Sequence, residues 1–458
     1  MKTLRRPLLH QDVKRPKRTR RRKRRLRRLP AAPKTRSTVR KNSRLRQAAV
    51  KRRRVKKPGS RRSPAKPRLL RRPAVRSTEA AAVRIPYTGA PGINLIGYNR
   101  AEMGLGEGCR LLALALESCG MPYGINNFER GNPSRMGDLS WAHREQEGHP
   151  YRVNLFHVNG DNMRYVREEF GDAFMKERYN IGYWAWELSE LPDSWRDGFT
   201  GLQEIWTPTT FVRDVLARHT ALPVRAMPYG IRIPGTFDRA ALRARFGLPP
   251  ASFLFLSMFD VFSTSLRKNP SGAIEAFRRA FPSGSSGAAL VVKINNAEAK
   301  PEEARKLRTA VEGCPNILLL PERLTRQEVY GLLAACDSFV SLHRSEGFGL
   351  VLAEAMYLGK PVIATDWSGN TDFMNGENSI PVRFELQPVG QDAGPYTSAQ
   401  VWAEPDLEHA ADGMRRAAAD LPWSTALGCR GQMTIRSRFS PEASGLAVRQ
   451  RLQELSLL

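Results

Sequence analysis

Apolar residues along the chain occur in short continuous runs that alternate with longer segments of helical periodicity, beginning at Ile93. Runs that are apolar throughout are typical of strands buried on both faces of a parallel sheet, with helices in between. The pattern predicts the following strands: Ile93–Tyr98, Val153–Val158, Asn180–Trp186, Glu204–Pro208, Val224–Gly230, Phe253–Phe259, Ala289–Asn295, Asn316–Pro321, Ser338–His343 and Pro361–Asp366.

Several segments between these strands carry helix signals. Asn269 is placed to cap a helix that has Pro270 at its first position, and Ser440 is placed to cap the last helix of the chain. The predicted helices are Gly104–Gly120, Thr209–His219, Asn269–Phe281, Pro301–Val311, Thr325–Cys336, Gly349–Leu358 and Ser440–Leu455.

The alternation of strand and helix stops and restarts near Gly230–Gly235, which predicts two Rossmann-like, doubly wound α/β domains facing each other across a cleft. Ligands of such sheets bind beyond the carboxyl ends of the strands, so the cleft is the expected site. The predicted divisions are a tail at 1–84, a first domain at 85–232, a second domain at 233–430, and a terminal helix at 431–458 that packs back towards the first domain.

Charge separates the first 84 residues from the rest. They contain 35 Lys and Arg against two acidic residues, Asp12 and Glu79, whereas the whole chain has a formal net charge of +30, so the remainder is close to neutral. Like charges and frequent prolines predict a disordered tail. Three interpretations stay open: a solvated tail without a specific role, a tether to an anionic membrane surface or another polyanion, and a nucleic-acid-binding arm.

Cellular location is predicted from what the sequence contains. No run approaches 18 apolar residues, so we expect no integral membrane segment. The five cysteines are dispersed and form no C-x-x-C, so we expect neither disulfides nor a metal site, in keeping with a cytoplasmic protein. If the tail is a tether, it would hold the protein at the inner face of a membrane.

The stretch from Ser345 to Asn370, SEGFGLVLAEAMYLGKPVIATDWSGN, concentrates the candidate chemistry. Glu346 follows a predicted strand and precedes two glycines that allow a ligand to approach the backbone. The helix after them directs its free N–H groups at the cleft, where they would bind a diphosphate. Glu354 lies eight residues on, so one acid can hold a sugar and the other a ribose.

This stretch resembles the E-x7-E signature of the retaining glycosyltransferase family 4, a bacterial-type family of the GT-B fold. The resemblance extends over the folded part, from about Ile93 to Leu455, and is most specific over Asp337–Asp372. It implies that Glu346 contacts the transferred sugar and Glu354 the ribose of a UDP- or GDP-sugar. It also implies donor contacts from the loop Gly347, Phe348 and Gly349, and from the backbone N–H groups of Leu350 and Val351.

The family is similar to metal-independent enzymes without a cofactor, so protein cations should stabilise the leaving diphosphate. It usually has Arg-x4-Lys after the first strand of the second domain. Here Lys268 is at the expected position, Ser263 replaces the arginine, and Arg267 is the substitute charge. A solvated pair at a helix start is the competing interpretation, although cations there oppose the helix dipole.

Further candidates have a structural alternative each. Gly104 and Gly106 resemble the family's glycine loop near the diphosphate but would also suit a tight turn. His157 resembles a histidine near the donor sugar but could be a strand-end residue. Trp184 and Trp186 could stack on acceptor rings or fill the core. Glu187 could line the cleft or be a charge at a helix start. The last candidates, at a turn facing the cleft, are Ser368, Gly369 and Asn370.

The sequence therefore predicts a metal-independent retaining glycosyltransferase that moves a hexose to a hydroxyl of a glycan or lipid-linked glycan, as in polysaccharide biosynthesis. Two alternatives stay open: a nucleic-acid-binding protein with a non-catalytic GT-B domain, and a nucleotide-sugar epimerase of the same fold. The donor base and sugar, the acceptor and the oligomeric state are not determined by the sequence.

Overall fold

The structure, a computed structural model, describes residues 87–282 and 287–458. The predictions for the basic tail lie outside these residues. The first half contains β1 Ala90–Gly97, α1 Gly104–Ser118, β2 Tyr123–Asn127, β3 Tyr151–His157, α2 Met163–Lys176, β4 Tyr179–Tyr183, β5 Glu204–Thr207, α3 Thr210–Ala217 and β6 Val224–Ala226.

The second half repeats the alternation and adds a hairpin and three long helices. Its elements are α4 Arg239–Arg245, β7 Phe253–Asp260, α5 Ser265–Lys268, α6 Pro270–Ala280, β8 Ala288–Asn295, α7 Pro301–Ala310, β9 Ile317–Leu320, α8 Arg326–Ala335, β10 Ser338–Ser341, α9 Leu350–Tyr357, β11 Val362–Thr365, β12 Ile380–Val382, β13 Phe384–Pro388, β14 Val401–Pro405, α10 Leu407–Ala419, α11 Leu421–Arg438 and α12 Pro441–Glu454.

Two six-stranded parallel sheets form the framework, in the orders β2-β1-β3-β4-β5-β6 and β12-β11-β10-β7-β8-β9. Strands such as β3 and β11 are buried because helices cover both faces of each sheet. The predicted fold of two Rossmann-like domains, the GT-B arrangement, is confirmed. The hairpin β13–β14 pairs separately as an antiparallel ribbon.

Three asparagines interrupt the apolar strands of the first sheet without destabilising it. Asn94, Asn154 and Asn180 lie on the neighbouring strands β1, β3 and β4 in register and are fully buried. Asn94 Nδ2 donates to Asn154 Oδ1 at 2.9 Å, and Asn154 Nδ2 donates to Asn180 Oδ1 at 2.9 Å. Each buried amide thereby finds a partner, which removes the cost of burying it unpaired.

Side-chain hydrogen bonds from neighbouring residues fix where two of the predicted helices begin. Asn269 and Ser440 cap α6 and α12 as predicted, since their side chains accept from Gly272 N and Ala443 N. The predicted strand Asn180–Trp186 was wrong at its end, because the chain leaves the sheet after Tyr183.

Elements without a clear apolar pattern were not predicted, among them β2, α2 and the hairpin. In β2, Gly124 and two asparagines stand where branched apolar residues would mark a strand. In β13 most side chains are exposed, so no hydrophobic pattern identifies it.

Contacts between the two halves hold the cleft together. Helix α12 packs on α1 so closely that Gly445 leaves no room for a Cβ beside Ala115 O, which would lie 2.2 Å away. At the other side, Thr209 Oγ1 donates to Gly347 O at 2.9 Å. Because Gly347 adjoins Glu346, this second contact reaches the candidate site.

Candidate active site

A cavity of about 1260 Å³ lies between the two sheets, and residues from both halves line it. It opens beyond the carboxyl ends of parallel strands, where α/β folds bind ligands. The cavity brings together most residues predicted from the sequence: Gly104, Arg267, Lys268, Glu346, Gly347, Phe348, Gly349, Leu350, Val351 and Glu354.

Glu346 is the centre of a buried charge cluster. It forms an ion pair with Lys268, and its second oxygen lies 3.3 Å from Arg267 Nη1. Burial by itself would raise the pKa of Glu346, but attraction to Lys268 and Arg267 outweighs burial and lowers the pKa to about 2. The carboxyl group is therefore ionised throughout the physiological range.

A strained turn presents the two cations. Thr264, a β-branched residue, has φ 61° immediately before α5, and Asn269 has φ 50° immediately after it. Such conformations cost on the order of 1–3 kcal/mol each and persist where the surroundings enforce them. Arg344 N donates to Arg267 O at 2.7 Å, which ties this turn to the Glu346 loop. Arg267 and Lys268 are thereby fixed side by side against Glu346.

Helix α9 begins at the cavity wall. Gly349, its N-cap, has φ 91°, a left-handed conformation that glycine adopts without strain. The first N–H groups of a helix have no partner within it, and Leu350 and Val351, in this first turn, line the cavity. The arrangement can bind an anion close to Lys268.

Glu354, one turn further along α9, is 1 % exposed. It forms an ion pair with Arg326, whose guanidinium also lies 3.2 Å from Glu107 of the first sheet's helix α1. Burial raises the pKa of Glu354 to about 7, although attraction to Arg326 opposes this. Within residues 87–282 and 287–458, no group donates a hydrogen bond to Glu354 Oε2, so this oxygen can accept from a ligand hydroxyl.

The turn at Ser368, Gly369 and Asn370 lies behind the Glu346 loop and is not among the residues that line the cavity. Ser368 Oγ accepts from Glu346 N at 2.8 Å, and Gly369 N donates to Glu346 O at 2.9 Å. A Cβ on Gly369 would lie 2.3 Å from Gly347 O. The turn supports the loop, and any direct contact of these residues with a donor stays a prediction.

His157 and Gly106 also lie away from the cavity lining. His157 is fully buried, its Nε2 shares a 2.9 Å hydrogen bond with Tyr229 Oη, and burial lowers its pKa to about 3. A Cβ on Gly106 would lie 2.0 Å from Ala101 O, so packing of the turn requires this glycine. Their contact with substrate stays a prediction, without support from this geometry.

Sequence reasoning missed several cavity residues, among them Glu107, Arg326 and Tyr396. Arg326 opens α8 directly after the Thr325 cap, at the carboxyl end of β9, and that position at the ligand-binding edge was the available signal. Glu107 lies in the glycine-rich turn that was considered only for its glycines. No local pattern indicated Tyr396, because it lies in the loop between β13 and β14.

Over 87–282 and 287–458, no helix is both long and apolar enough to cross a bilayer. Over the same residues, no group of three or more His, Cys, Asp or Glu side chains is arranged to hold a metal ion.

One family model matches part of the second half of the protein. Residues 248–379 match the model described as "Glycosyl transferases group 1". That segment contains Arg267, Lys268, Glu346 and Glu354, so the match includes residues that line the cavity. A search of curated proteins found no match.

Solved structures share the fold over most of the chain. Anabaena Alr3699/HepE in complex with UDP and glucose matches with a TM-score of 0.61 at 13% identity, covering 80% of this chain and 100% of that one. A sucrose-phosphate synthase (tll1590) from Thermosynechococcus elongatus matches with 0.58 at 16%, covering 80% and 99%. A glycosyltransferase from Rickettsia africae ESF-5 matches with 0.57 at 12%, covering 81% and 99%. At such identities the likeness establishes the shared fold.

Proposed function

We propose that this protein is a retaining glycosyltransferase that moves a hexose from a nucleotide-diphosphate sugar to a hydroxyl acceptor. The observation that carries the proposal is the convergence of Lys268, Glu346, Glu354 and the start of α9 on one cavity. The family match over residues 248–379 supports it. So does the presence of UDP-glucose in a structure of Anabaena Alr3699/HepE that shares the fold at 14% identity.

Each part of the donor has a chemically suited partner. The diphosphate lies at the N-terminus of α9, with Lys268 and Arg267 supplying positive charge. Glu346 accepts hydrogen bonds from hydroxyls of the transferred sugar, since its pKa of about 2 keeps it ionised. The free oxygen of Glu354 accepts from the ribose. The charge of Glu354 depends on pH in the physiological range, because its pKa is about 7.

The reaction follows from this placement. The bond between the anomeric carbon and the β-phosphate oxygen breaks, and the acceptor oxygen forms its bond on the same face. The acceptor proton passes to the departing diphosphate, so no protein nucleophile is required. Lys268, Arg267 and the helix N-terminus stabilise the charge that develops on the diphosphate, which is the task that a metal ion performs elsewhere. The acceptor that we propose is a glycan or a lipid-linked glycan.

A thermal-shift panel of UDP, GDP and their glucose and mannose derivatives tests the donor. Stabilisation follows RT ln(1 + [L]/Kd), so a donor at about 100 Kd should add about 2.7 kcal/mol. Glu354→Ala should reduce the shift. Glu275→Ala, at a partly exposed ion pair on α6, is the matched control and should keep it. If no nucleotide shifts the wild type, or if Glu354→Ala shifts as the wild type does, the donor assignment fails.

A further inference from the structure

A hairpin arm extends from the second half of the protein to the first. We call residues 384–405 the arm: β13, β14 and the loop 389–400 between them. It follows β12 at the edge of the second sheet, but it contacts the segment after β4 of the first. Gln400 Nε2 donates to Glu190 O at 2.8 Å, and the Tyr396 ring lies 5.6 Å from the ring of Trp186. The arm therefore crosses the cleft.

The base of the arm is fixed to the loop that carries Glu346. Arg344, two residues before Glu346, donates to the carboxylate of Glu404, with Nη2 and Oε1 3.0 Å apart. Ala403 N donates to Arg344 O at 3.0 Å, and the Arg344 guanidinium lies 5.3 Å from the ring of Trp402. The base of the arm and the Glu346 loop are thus in direct contact through Arg344.

The tip of the arm places Tyr396 against a buried row of charges. Arg267, with a side chain 4 % exposed, lies between Glu346 Oε2 at 3.3 Å and Glu187 Oε1 at 3.6 Å. The Tyr396 hydroxyl donates to Glu187 Oε2 at 3.2 Å, and its ring centroid lies 6.0 Å from the Arg267 guanidinium. Tyr396 itself is 4 % exposed. It therefore holds both Glu187 and Arg267.

A buried guanidinium is costly unless its partners are fixed, so the orientation of Arg267 depends on the groups around it. Arg267 Nη1 also donates to Ser345 O at 2.7 Å, which directs one side of the guanidinium at the Glu346 loop. Glu187, held by Tyr396, occupies the other side. With Glu187 free to rotate, the guanidinium would lose its fixed partner on that side, and only Ser345 O and Glu346 would orient it.

We infer that Tyr396 and Glu187 are positioning residues that direct Arg267 at Glu346, and that the arm thereby couples the first half of the protein to recognition of the transferred sugar. This inference rests on the proposed function. Glu346 faces the sugar, whereas the diphosphate keeps Lys268 and the N-terminus of α9 as partners even when Arg267 turns away. Loss of the Tyr396 hydroxyl should therefore weaken the sugar's contribution to binding more than that of the nucleotide.

Calorimetric titration of the full chain with UDP and with UDP-glucose tests this, with GDP and GDP-mannose as a second pair. For Tyr396→Phe, which keeps the ring and its packing, Kd for UDP or GDP should rise much less than Kd for the matching nucleotide sugar, because Lys268 and the N-terminus of α9 still bind the diphosphate. Kd for the matching nucleotide sugar should rise about tenfold, the equivalent of one hydrogen bond to a charged group. Glu187→Gln should give the same pattern. The double variant should lose little more, because the two residues act through one contact.

Tyr179→Phe is the matched control. Its hydroxyl also donates to a glutamate at 3.2 Å, Glu204 Oε2, but away from the cavity lining. It should leave both dissociation constants unchanged. The positioning role is wrong if Tyr396→Phe weakens binding of the nucleoside diphosphate and of the nucleotide sugar equally. It is also wrong if the variant weakens binding of neither while the wild type binds both. In both cases the proposed function stands. If the wild type binds none of the four probes, the proposed function fails and the inference with it.

Discussion

We expect the Glu354→Gln variant to gain stability relative to the wild type as the pH rises from 5 to 8. The quantity compared is the difference between their free energies of unfolding at each pH. Glu354 is 1 % exposed, and burial, assisted by repulsion from Glu107, raises its pKa to about 7. Ionisation is thus favoured less in the folded chain than in the unfolded chain, where the pKa is close to 4.5.

The size of the effect follows from linkage. A carboxyl group with a raised pKa in the folded state contributes its full stability below pH 4.5, and this contribution is lost as the pH rises through about 7. Integrated between pH 5 and pH 8, the loss is roughly 2–3 kcal/mol. Glutamine does not ionise and so avoids it. Arg326 keeps Glu107 as a partner at 3.2 Å, so the substitution does not leave that cation unpaired.

The assay is urea unfolding of both proteins at pH 5 and pH 8 without nucleotide. All other titrating groups are common to the two proteins, so the change in their stability difference reports Glu354. The control is Glu275→Gln, at a partly exposed ion pair with Arg279 that should contribute little at either pH. A stability difference that stays constant, or that moves in favour of the wild type at pH 8, would refute the reasoning. It would mean that Arg326 keeps Glu354 ionised throughout.

Three further predictions concern the neighbouring loop. Lys268→Ala should reduce donor turnover, measured as nucleotide release, by about 10²- to 10³-fold, because the positive charge that stabilises the leaving diphosphate is lost. A loss under tenfold would contradict that role. Gly369→Ala should weaken nucleotide-sugar binding, since its Cβ would meet Gly347 O at 2.3 Å, whereas Gly376→Ala, with no atom within 4 Å, should bind normally. Glu346→Gln should be less stable than the wild type at pH 5, and this deficit in the free energy of unfolding should shrink by roughly 2 kcal/mol by pH 3, as measured by thermal unfolding. The reason is that the lowered pKa of Glu346, about 2, provides stability that is present above pH 4.5 and lost as the pH falls. A deficit independent of pH would contradict the charge assignment.

The sequence by itself determined the alternation of buried strands and helices and the position of the Glu346 loop at a strand end. These features are local, because apolar periodicity, caps and glycines act on neighbouring residues. Asn269 and Ser440 cap their helices for that reason. The resemblance of the stretch from Ser345 to Asn370 to a family signature likewise depended on contiguous residues. Where strands lacked apolar side chains, as in β13, the local signal was missing.

Only the tertiary structure decided which charges meet. Lys268 and Glu346 are 78 residues apart, and Tyr396 and Glu187 are 209 apart. Local patterns indicate which face of an element is buried, but not which distant side chain lies opposite. The same limit applies to the pKa of a buried acid, which depends on desolvation and on cations supplied by other segments. Glu346 and Glu354 look alike in the sequence and are both buried. Attraction to Lys268 and Arg267 nevertheless outweighs burial and lowers the pKa of Glu346 to about 2, whereas burial raises the pKa of Glu354 to about 7.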